Sequence, residues 1–420
     1  MSGLPSEKRR GASSLKVLHV IPAVAPRYGG PSQAIVEMCR AISDKGVEVL
    51  LATTDADGQG RLTVGLETAL EYSGVRTIFF PARLGERFNY SPAMARWLDK
   101  NVKNFDLVHV HAVFSHPCLA TARACRKHRV PYVVRPLGSL DPWSMRQKAL
   151  RKRLMWQMAA GRMLREAAFV HYTTSEEKRL AESSLALDHG VVIPLGVNLE
   201  AIQYRAAGGI FRDTHPSLSA KPYVLALSRI HPKKNYELLI EAFLSLAKKP
   251  ELQNWRLVIA GDGDADYISS LRVLSERLGG GDMVVFAGWL EGSSKSSALQ
   301  EASLFALPSL QENFGIAVVE SLACGVPVVV SEHVNLAPVI ARARAGWVAP
   351  AELDDFSRAL TEAMTDEAER TLRGAAGKLY VERHLSWASA AEELINLYSL
   401  ILSSTDRTLP RFEEKAKCTF

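Results

Sequence analysis

The chain has 420 residues and a formal net charge of +6 at neutral pH. That length is more than one hydrophobic core supports, so it predicts two domains and excludes a peptide hormone or a small binding module. Apolar residues make up 47% of the chain and charged residues 23%, which is ordinary globular usage and excludes a wholly disordered protein. The small excess of positive charge favours anionic partners such as phosphates, nucleotides or an acidic membrane surface, without singling out nucleic acid.

The cysteines and the apolar segments bear on the compartment. The five cysteines are scattered, with no CxxC pair and no histidine nearby at ligand spacing, so we expect a reduced, cytoplasmic protein without structural zinc. The apolar stretches are strand-sized and shorter than the roughly 18 to 20 residues of a membrane-spanning helix. The basic start followed by an apolar stretch resembles a signal peptide, but Lys16, His19 and Pro22 interrupt that stretch, which is therefore predicted to be the first strand.

Short segments rich in β-branched and apolar residues alternate with helical patterns along the chain, which is typical of βαβ units and parallel sheets. The first half contains predicted strands at 16–22, 48–53, 77–80, 107–111, 132–135, 169–172 and 191–194. After a polar stretch that contains Pro216 and Pro222, further strands are predicted at 223–228, 256–260, 284–287, 304–308 and 326–330. The pattern therefore predicts a second α/β domain that begins near residue 220.

In doubly wound sheets, ligands bind at the loops after the carboxyl ends of the strands. The first strand is followed by Gly29 and Gly30 at the start of a helical pattern, where backbone N–H groups and the helix dipole favour an anion. A simple tight turn explains these glycines at least as well. His111 ends the strand 107–111, where an imidazole can contact a sugar hydroxyl or a phosphate. A core histidine is the plainer interpretation of His111 alone, and of His109, which has the same strand parity.

The segment 228–235, SRIHPKKN, follows the first strand of the predicted second domain. Its cations Arg229 and Lys234 suit a diphosphate leaving group, because each stabilises negative charge that grows on the departing phosphate. A solvated basic loop is the alternative interpretation.

The segment 308–327, PSLQENFGIAVVESLACGVP, is the most specific part of the sequence. A loop carries Glu312, and a short apolar helix follows. Glu320 lies within that helix, where a carboxylate needs a partner: a vicinal diol such as ribose supplies two donating hydroxyls, and a surface ion pair is the alternative. Backbone N–H groups at the start of the helix are placed to receive a phosphate or sugar oxygen, at Asn313, Phe314, Gly315 and Ile316.

Glu312 and Glu320 are separated by seven residues and form the E-x7-E signature of retaining GT-B glycosyltransferases, and the chain as a whole resembles glycosyltransferase family 4. The other motifs stand in the family's order over residues 16–402: Gly29-Gly30, HVH ending at His111, SRIHPKKN, AGDGD at 260–264 and FAGWL at 286–290. The resemblance implies an α/β protein of the GT-B fold, with two Rossmann-like doubly wound domains that face each other across a cleft and a C-terminal helix that crosses back to the first domain.

With the resemblance, the predicted domain organisation has six parts. They are a disordered N-terminus at 1–14, an acceptor-side domain at 15–205, a linker at 206–221, a nucleotide-sugar-binding domain at 222–385, a returning helix at 386–404 and a tail at 405–420.

The resemblance also implies roles for the site residues. Glu320 is expected to bind the nucleotide ribose, and Arg229 and Lys234 to neutralise the diphosphate. Glu312, with the backbone of 313–316, is expected to hold the donor sugar. The remaining expected contacts are those of Gly29 and Gly30 with the phosphates and of His111 with the reacting sugar. Two segments depart from the family's usual pattern, PLGVN at 194–198 and HVNLA at 333–337, and both bear on the donor-sugar contacts and the hinge.

The segment 135–153, RPLGSLDPWSMRQKALRKR, is similar to that of family members acting in exopolysaccharide or lipopolysaccharide assembly. The helical stretch from Met145 to Arg165 holds seven cations and no acid, so Arg146–Arg165 is a candidate contact with an anionic membrane surface. A solvated face is an equal alternative, since Leu150, Leu154 and Met158 can also face the core.

We therefore predict a retaining glycosyltransferase that needs no metal or cofactor. It moves a sugar from a nucleotide-diphosphate donor to a glycan or lipid-linked acceptor in cell-surface polysaccharide biosynthesis. The predicted location is the cytoplasm, including the inner face of the plasma membrane, and no nucleic acid partner is expected.

Two other classes remain as alternatives. A nucleotide-dependent dehydrogenase is suggested by the two Rossmann-like halves and by Gly261-Asp262-Gly263, although that motif lacks the third glycine. A non-catalytic nucleotide-sugar-binding protein is the other, against which the intact His111, Arg229, Lys234 and Glu320 argue.

Overall fold

The structure is a computed structural model that describes residues 14–83, 88–203 and 209–404. The predicted tail at 405–420, nearly all of the predicted disordered N-terminus and the start of the predicted linker lie outside the described residues. The described chain forms two compact units. The first unit holds 14–83, 88–136, 150–170 and 391–404, and the second holds 137–149, 171–203 and 209–390. The predicted domain limits stay a prediction.

The first sheet has the strand order β10-β9-β8-β7-β1-β2-β6-β5. Neighbouring strands are parallel from β9 through β8, β7, β1 and β2 to β6, whereas β5 runs antiparallel to β6. A two-stranded ribbon of β3 and β4 stands beside it. The strands are β1 Lys16–Ala23, β2 Glu48–Thr54, β3 Ala56–Asp57, β4 Gly60–Arg61, β5 Ala69–Tyr72, β6 Val75–Phe80, β7 Leu107–His111, β8 Tyr132–Arg135, β9 Phe169–Tyr172 and β10 Gly190–Val192.

The second sheet is parallel throughout and has the order β13-β12-β11-β14-β15-β16. The strand order reverses at β11, which pairs with β12 on one side and β14 on the other, and such a switch point is where doubly wound sheets bind ligands. The strands are β11 Tyr223–Leu227, β12 Arg256–Ala260, β13 Val284–Gly288, β14 Leu304–Leu307, β15 Val328–Ser331 and β16 Gly346–Ala349. The predicted α/β class with two Rossmann-like sheets is confirmed.

Helices alternate with these strands, as the sequence pattern predicts. None of the described helices is both long and apolar enough to cross a membrane. The helices are α1 Gly30–Asp44, α2 Pro92–Asn101, α3 His116–His128, α4 Pro142–Arg146, α5 Ala149–Met155, α6 Gly161–Arg165, α7 Ser175–Leu185, α8 Leu199–Gln203, α9 Ile210–Thr214, α10 Tyr236–Leu246, α11 Ala265–Arg277, α12 Gly292–Glu301, α13 Ile316–Ala323, α14 Ala337–Arg342, α15 Leu353–Thr365, α16 Glu367–His384 and α17 Trp387–Ser403.

The predicted strands are all present, and their ends agree to within two residues. Most of these strands are central and buried, so they appear in the sequence as continuous apolar runs, whereas β10 and β13 are partly buried edge strands. Four short strands were not predicted from the sequence, namely β3, β4, β5 and β16. The ribbon strands are only two residues long, β5 is an edge strand with alternating exposure, and β16 is a four-residue edge strand that begins with glycine.

Each unit buries its own apolar side chains. In the second unit, Phe243 of α10 and Phe356 of α15 are fully buried in one cluster with Leu257 of β12. In the first unit, the part of α17 from residue 391 onward buries apolar side chains that stand at helical spacing, at Leu394, Leu397, Tyr398 and Ile401. This part of α17 therefore belongs to the core of the first unit, although most of that unit lies before residue 171.

Candidate functional site

The loop between β11 and α10 carries the predicted pair of cations. After β11 ends, Pro232–Lys234 form a 3-10 turn, and Asn235, with a φ of 57°, starts α10. The Nδ1 atom of His231 accepts a hydrogen bond from the backbone of Lys233 at 3.1 Å, which holds the turn. Arg229 is exposed and has no ion-pair partner within the described part of the chain. Lys234, by contrast, is 6% exposed.

Lys234 forms a buried ion pair with Glu312, from the loop after β14. The backbone of Glu312 is fixed on both sides, because its N–H donates to the carbonyl of His333 at 3.0 Å and its carbonyl accepts from the N–H of Asn335 at 2.9 Å. Burial raises the pKa of the Glu312 carboxyl, but the charges of Lys234 and Lys233 and the hydrogen bond from Lys234 outweigh burial and lower it overall. Glu312 is therefore a fixed carboxylate whose charge is balanced by lysine.

Lys233 is a third cation here, which the sequence analysis did not single out. Burial lowers its pKa from the ordinary 10.5 to about 8; the charge of Glu312 works in the opposite direction, and Lys234 and Arg229 lower the value further. The three cations outnumber Glu312 by two charges, which suits a diphosphate. The adjacent Lys233 and Lys234 could have been noticed in the sequence, but the sequence could not show that the charges of both lysines act on Glu312.

Gly315 immediately precedes α13, and its φ of 75° favours glycine. A side chain at this position would lie 3.2 Å from Val318 and 3.3 Å from Glu312. Glycine therefore lets the start of α13 lie close beside Glu312. The first N–H groups of a helix have no partner within the helix, so the start of α13 presents donors next to the cationic loop.

Glu320 lies in α13 and its side chain is 9% exposed. Its Oε1 atom accepts a hydrogen bond from Nζ of Lys295 in α12 at 2.7 Å. Its Oε2 atom is buried and has no hydrogen-bond partner among the described residues. An ion pair of Glu320, the alternative to ribose binding, is thus present. It is buried rather than on the surface, and it occupies only the Oε1 atom of Glu320. Lys295 stands 25 residues before Glu320, and no local pattern pointed to it.

The side chain of Asn313 is already engaged within the second unit. Its Nδ2 atom donates to Oγ1 of Thr173 at 3.2 Å, and Thr173 donates in turn to Glu177 through both its backbone N–H and its hydroxyl, each at 2.8 Å. Gly138 also donates to Glu177, at 2.8 Å, and a side chain on Gly138 would lie 2.9 Å from Asn313. Only the Nδ2 group of Asn313 is engaged in this way, because its Oδ1 atom is buried and has no hydrogen-bond partner among the described residues. The backbone of 313–316 therefore remains for a ligand.

In the first unit, His111 ends β7 and is fully buried. Its Nε2 atom lies 3.0 Å from Nδ1 of His19 on β1, and its ring stacks on that of His109 with centroids 4.2 Å apart. Nδ1 of His109 lies 2.7 Å from the hydroxyl of Tyr398 in α17. The two β7 histidines, which share a strand parity, thus lie against each other, and His19 and Tyr398 are partners that the sequence did not predict.

The three histidines are also, among the described residues, the one group whose possible metal-ligand atoms converge, within 4.8 Å of one another. Arg135 is the cross-strand neighbour of His111 and is fully buried. Paired residues on adjacent strands share a face, so a dication here would meet a buried guanidinium. The arrangement suits hydrogen-bonded imidazoles better than a metal centre.

Gly29 and Gly30 begin α1 after β1. Gly29 has a φ of 76°, and its N–H donates to the carbonyl of Pro26 at 2.8 Å, so a tight turn is present. A side chain at Gly29 would meet no atom within 4 Å, which leaves open space in front of the helix start. The turn therefore does not exclude an anion at this position.

The predicted site residues thus fall into two groups. In the second unit, the loops after β11 and β14 bring Lys234 and Glu312 together with the start of the 313–316 backbone, and the charge of Arg229 acts on the same loop. Glu320 lies further along α13. In the first unit, Gly29 and Gly30 follow β1, and His111 ends the adjacent strand β7.

Two family models match the chain: "Glycosyl transferase 4-like domain" over residues 29–196 and "Glycosyl transferases group 1" over residues 210–379. The chain belongs to the family of group 1 and 4-like glycosyl transferases that these models describe. The matched ranges contain every predicted site residue.

Named relatives extend this result. The chain is 32% identical over 195 residues to a GDP-mannose-dependent monoacylated alpha-(1-6)-phosphatidylinositol monomannoside mannosyltransferase of Corynebacterium glutamicum, covering 44% of this chain and 48% of the relative. It is 25% identical to a GDP-mannose:cellobiosyl-diphosphopolyprenol alpha-mannosyltransferase of Komagataeibacter xylinus, covering 96% and 97% of the two chains. The chain spans about half the length of the first curated relatives it matches.

Solved structures share the fold. Anabaena HepE in complex with UDP-glucose superposes with a TM-score of 0.73 at 18% sequence identity, covering 92% of this chain and 99% of that chain. At that identity the likeness establishes the GT-B fold alone.

Proposed function

We propose that this protein is a retaining, metal-independent glycosyltransferase that moves a sugar from a nucleotide-diphosphate donor to a hydroxyl of a glycan. The observation that carries the proposal is the cationic loop of the second unit. Lys233 and Lys234 lie beside Glu312 near the start of α13, and the charge of Arg229 acts on Lys233, so positive charge and backbone donors meet at the switch point of the sheet. Such a site stabilises a departing diphosphate without requiring a metal ion.

The proposed donor is GDP-mannose. The names of both relatives above include this donor, and one of them matches over nearly the full chain. The ribose of such a donor would donate a hydroxyl hydrogen bond to the buried Oε2 of Glu320 while Lys295 keeps Oε1.

In the proposed reaction, the bond between the sugar C1 and the β-phosphate oxygen breaks. The acceptor oxygen bonds to C1 on the same face, and the acceptor proton passes to the departing phosphate oxygen. Lys234 is then shared between Glu312 and the phosphate, so its contact strengthens as charge grows on the leaving group. His111 would polarise or position the donor sugar, with its ring held by His19.

The proposed acceptor is a lipid-linked glycan in cell-surface polysaccharide assembly, reached by the protein at the cytoplasmic face of the membrane. The acceptor named for the Komagataeibacter xylinus relative is a diphosphopolyprenol-linked sugar. An acceptor of that type keeps its polyprenol in the bilayer, which requires the enzyme to work at the surface.

The test is a donor and acceptor panel with analysis of the product. Purified protein is incubated with GDP-mannose or UDP-glucose and a polyprenol-diphosphate oligosaccharide, and the anomeric configuration of the product is read by NMR. We expect mannose in the α configuration, as in the donor. A β product would refute retention. Binding of donor without turnover would favour the non-catalytic alternative, and an absorbance change with NAD(P)H in place of sugar transfer would favour a dehydrogenase.

A further inference from the structure

A continuous helical run in the first unit exposes a stripe of apolar side chains. It consists of α5, a π-helical turn at Trp156–Ala160, and α6. Leu150 is 86% exposed, Leu154 57% and Met158 73%. The three residues are four positions apart, so they follow one another along the same side of the helix. Three large apolar side chains in water on one helix face need an explanation beyond folding.

The core does not supply that explanation. The same run packs against its unit through other side chains, because Ala160, Met163 and Leu164 are fully buried. The suggestion that Leu150, Leu154 and Met158 face the core is therefore wrong. The sequence could not separate these cases, since a four-residue spacing is the same for a core stripe and an exposed one.

The charges beside the stripe have one sign. The residues 142–165 include no aspartate or glutamate. Arg151, Arg153 and Arg165 are exposed, whereas Lys152 is half-buried with its Nζ 5.2 Å from the ring centroid of Phe114. Arg162 is exposed as well, but it is paired with Glu166 at 2.8 Å. Cations and apolar side chains therefore share the exposed side of the helical run.

We propose that the stripe face, formed by Leu150, Leu154 and Met158 with Arg151, Arg153 and Arg165, docks on an anionic lipid surface. Apolar side chains of such a helix enter the boundary between headgroups and acyl chains, while the long arginines keep their charges at the level of the lipid phosphates. An acidic protein would match the charge too. However, a stripe three residues long falls far short of the roughly 20 to 30 residues that each side of a stable protein interface contributes.

The docking of this surface on lipid is inferred from its exposure and charge, and only its use, the delivery of a lipid-linked acceptor, rests on the proposed function. Lipid docking and the proposed function can therefore be refuted independently. Vesicle binding requires no donor, and donor turnover with a water-soluble acceptor analogue requires no vesicle.

The test is flotation of the full chain with vesicles of phosphatidylcholine alone or mixed equally with phosphatidylglycerol, at low and high salt. We expect flotation with the mixed vesicles at low salt and loss of most of it with phosphatidylcholine alone. Changing the three arginines of the stripe face to Gln should weaken binding about a hundredfold, at about fivefold per cation. Changing Leu150, Leu154 and Met158 to Ser should weaken it by a similar factor, because these side chains supply the inserted apolar surface.

The matched control changes three exposed apolar residues of the second unit to Ser: Val273, Leu372 and Leu379, which are 63%, 66% and 46% exposed. This variant should float like the wild type. All variants are checked by thermal unfolding, and a melting temperature equal to that of the wild type shows that they fold. The proposal is overturned if wild-type protein does not float with the mixed vesicles, or if the serine variant of the stripe floats as well as the control. It is also overturned if light scattering shows that the wild type self-associates and that the serine variant of the stripe differs from it only in being a monomer. The stripe would then be a contact between copies of the chain.

Discussion

The two predicted leaving-group cations should behave differently when each is replaced by methionine. Lys234 is buried in an ion pair with Glu312, whereas Arg229 is exposed and unpaired within the described chain. If both contact the departing diphosphate, Arg229→Met and Lys234→Met should each lower kcat by roughly a hundredfold or more, as loss of a preorganised donor does in other enzymes. Their effects on folding should differ.

The difference in stability follows from burial. Removing Lys234 leaves the Glu312 carboxylate in a site where it is 15% exposed and without its partner, a change that costs about 3 to 5 kcal/mol in buried pairs. With about 2 to 4 °C of melting temperature per kcal/mol in a domain of this size, Lys234→Met should melt at least about 6 °C lower. Arg229→Met should stay within about 0.5 kcal/mol of the wild type.

The assay combines steady-state turnover of GDP-mannose with urea unfolding of each variant. The double variant Lys234→Met/Glu312→Gln removes both charges, so it should recover most of the lost stability while its kcat stays low. Near-normal kcat in both single variants would refute the leaving-group assignment. Unchanged stability of Lys234→Met would instead show that Glu312 does not depend on this lysine for its charge balance.

The sequence was sufficient for the framework because buried parallel strands and glycine-marked helix starts are local patterns. The strand 107–111 was predicted with its observed limits, and Gly315 was placed at the start of α13. Loops after such strands could then be searched for chemistry, which led to Glu312 and Glu320. Each of these features is encoded within a few neighbouring residues.

The partners of the site residues could not be predicted, because tertiary packing supplies them from distant parts of the chain. Lys295 bonds to Glu320 across helices, His19 reaches His111 across 92 residues, and Tyr398 contacts His109 across 289. Nothing in the local pattern of these residues distinguishes them from other polar residues. The sequence thus identified charged groups, but the structure was needed to show which of their atoms are already bonded.

The remaining predictions concern the nucleotide contacts. Lys295→Met should weaken GDP binding about tenfold or more and abolish the preference for GDP over 2′,3′-dideoxy-GDP, because Glu320 then loses the contact that orients it. Lys295→Arg should keep this preference. Isothermal titration calorimetry measures the affinity of each variant for both nucleotides. Activity should survive excess EDTA, and a loss that Mg²⁺ restores would contradict the metal-independent mechanism. The last prediction concerns Lys233, whose pKa of about 8 lies below the ordinary 10.5 because of burial. A diphosphate favours the protonated amine, so it should raise this pKa, and GDP binding above pH 8 should take up protons and weaken as the pH rises. In the ligand-free protein, the pKa of Lys233 is about 8 in the folded state and 10.5 in the unfolded state, so below pH 8 the charged amine destabilises the folded state. This cost disappears as the pH rises from about 8 to 10.5, and the free energy of unfolding should therefore rise over that range. Calorimetry in buffers of different ionisation enthalpy counts the protons, and Lys233→Met is the matched control that should take up fewer. Equal proton uptake by wild type and Lys233→Met would show that Lys233 does not face the diphosphate.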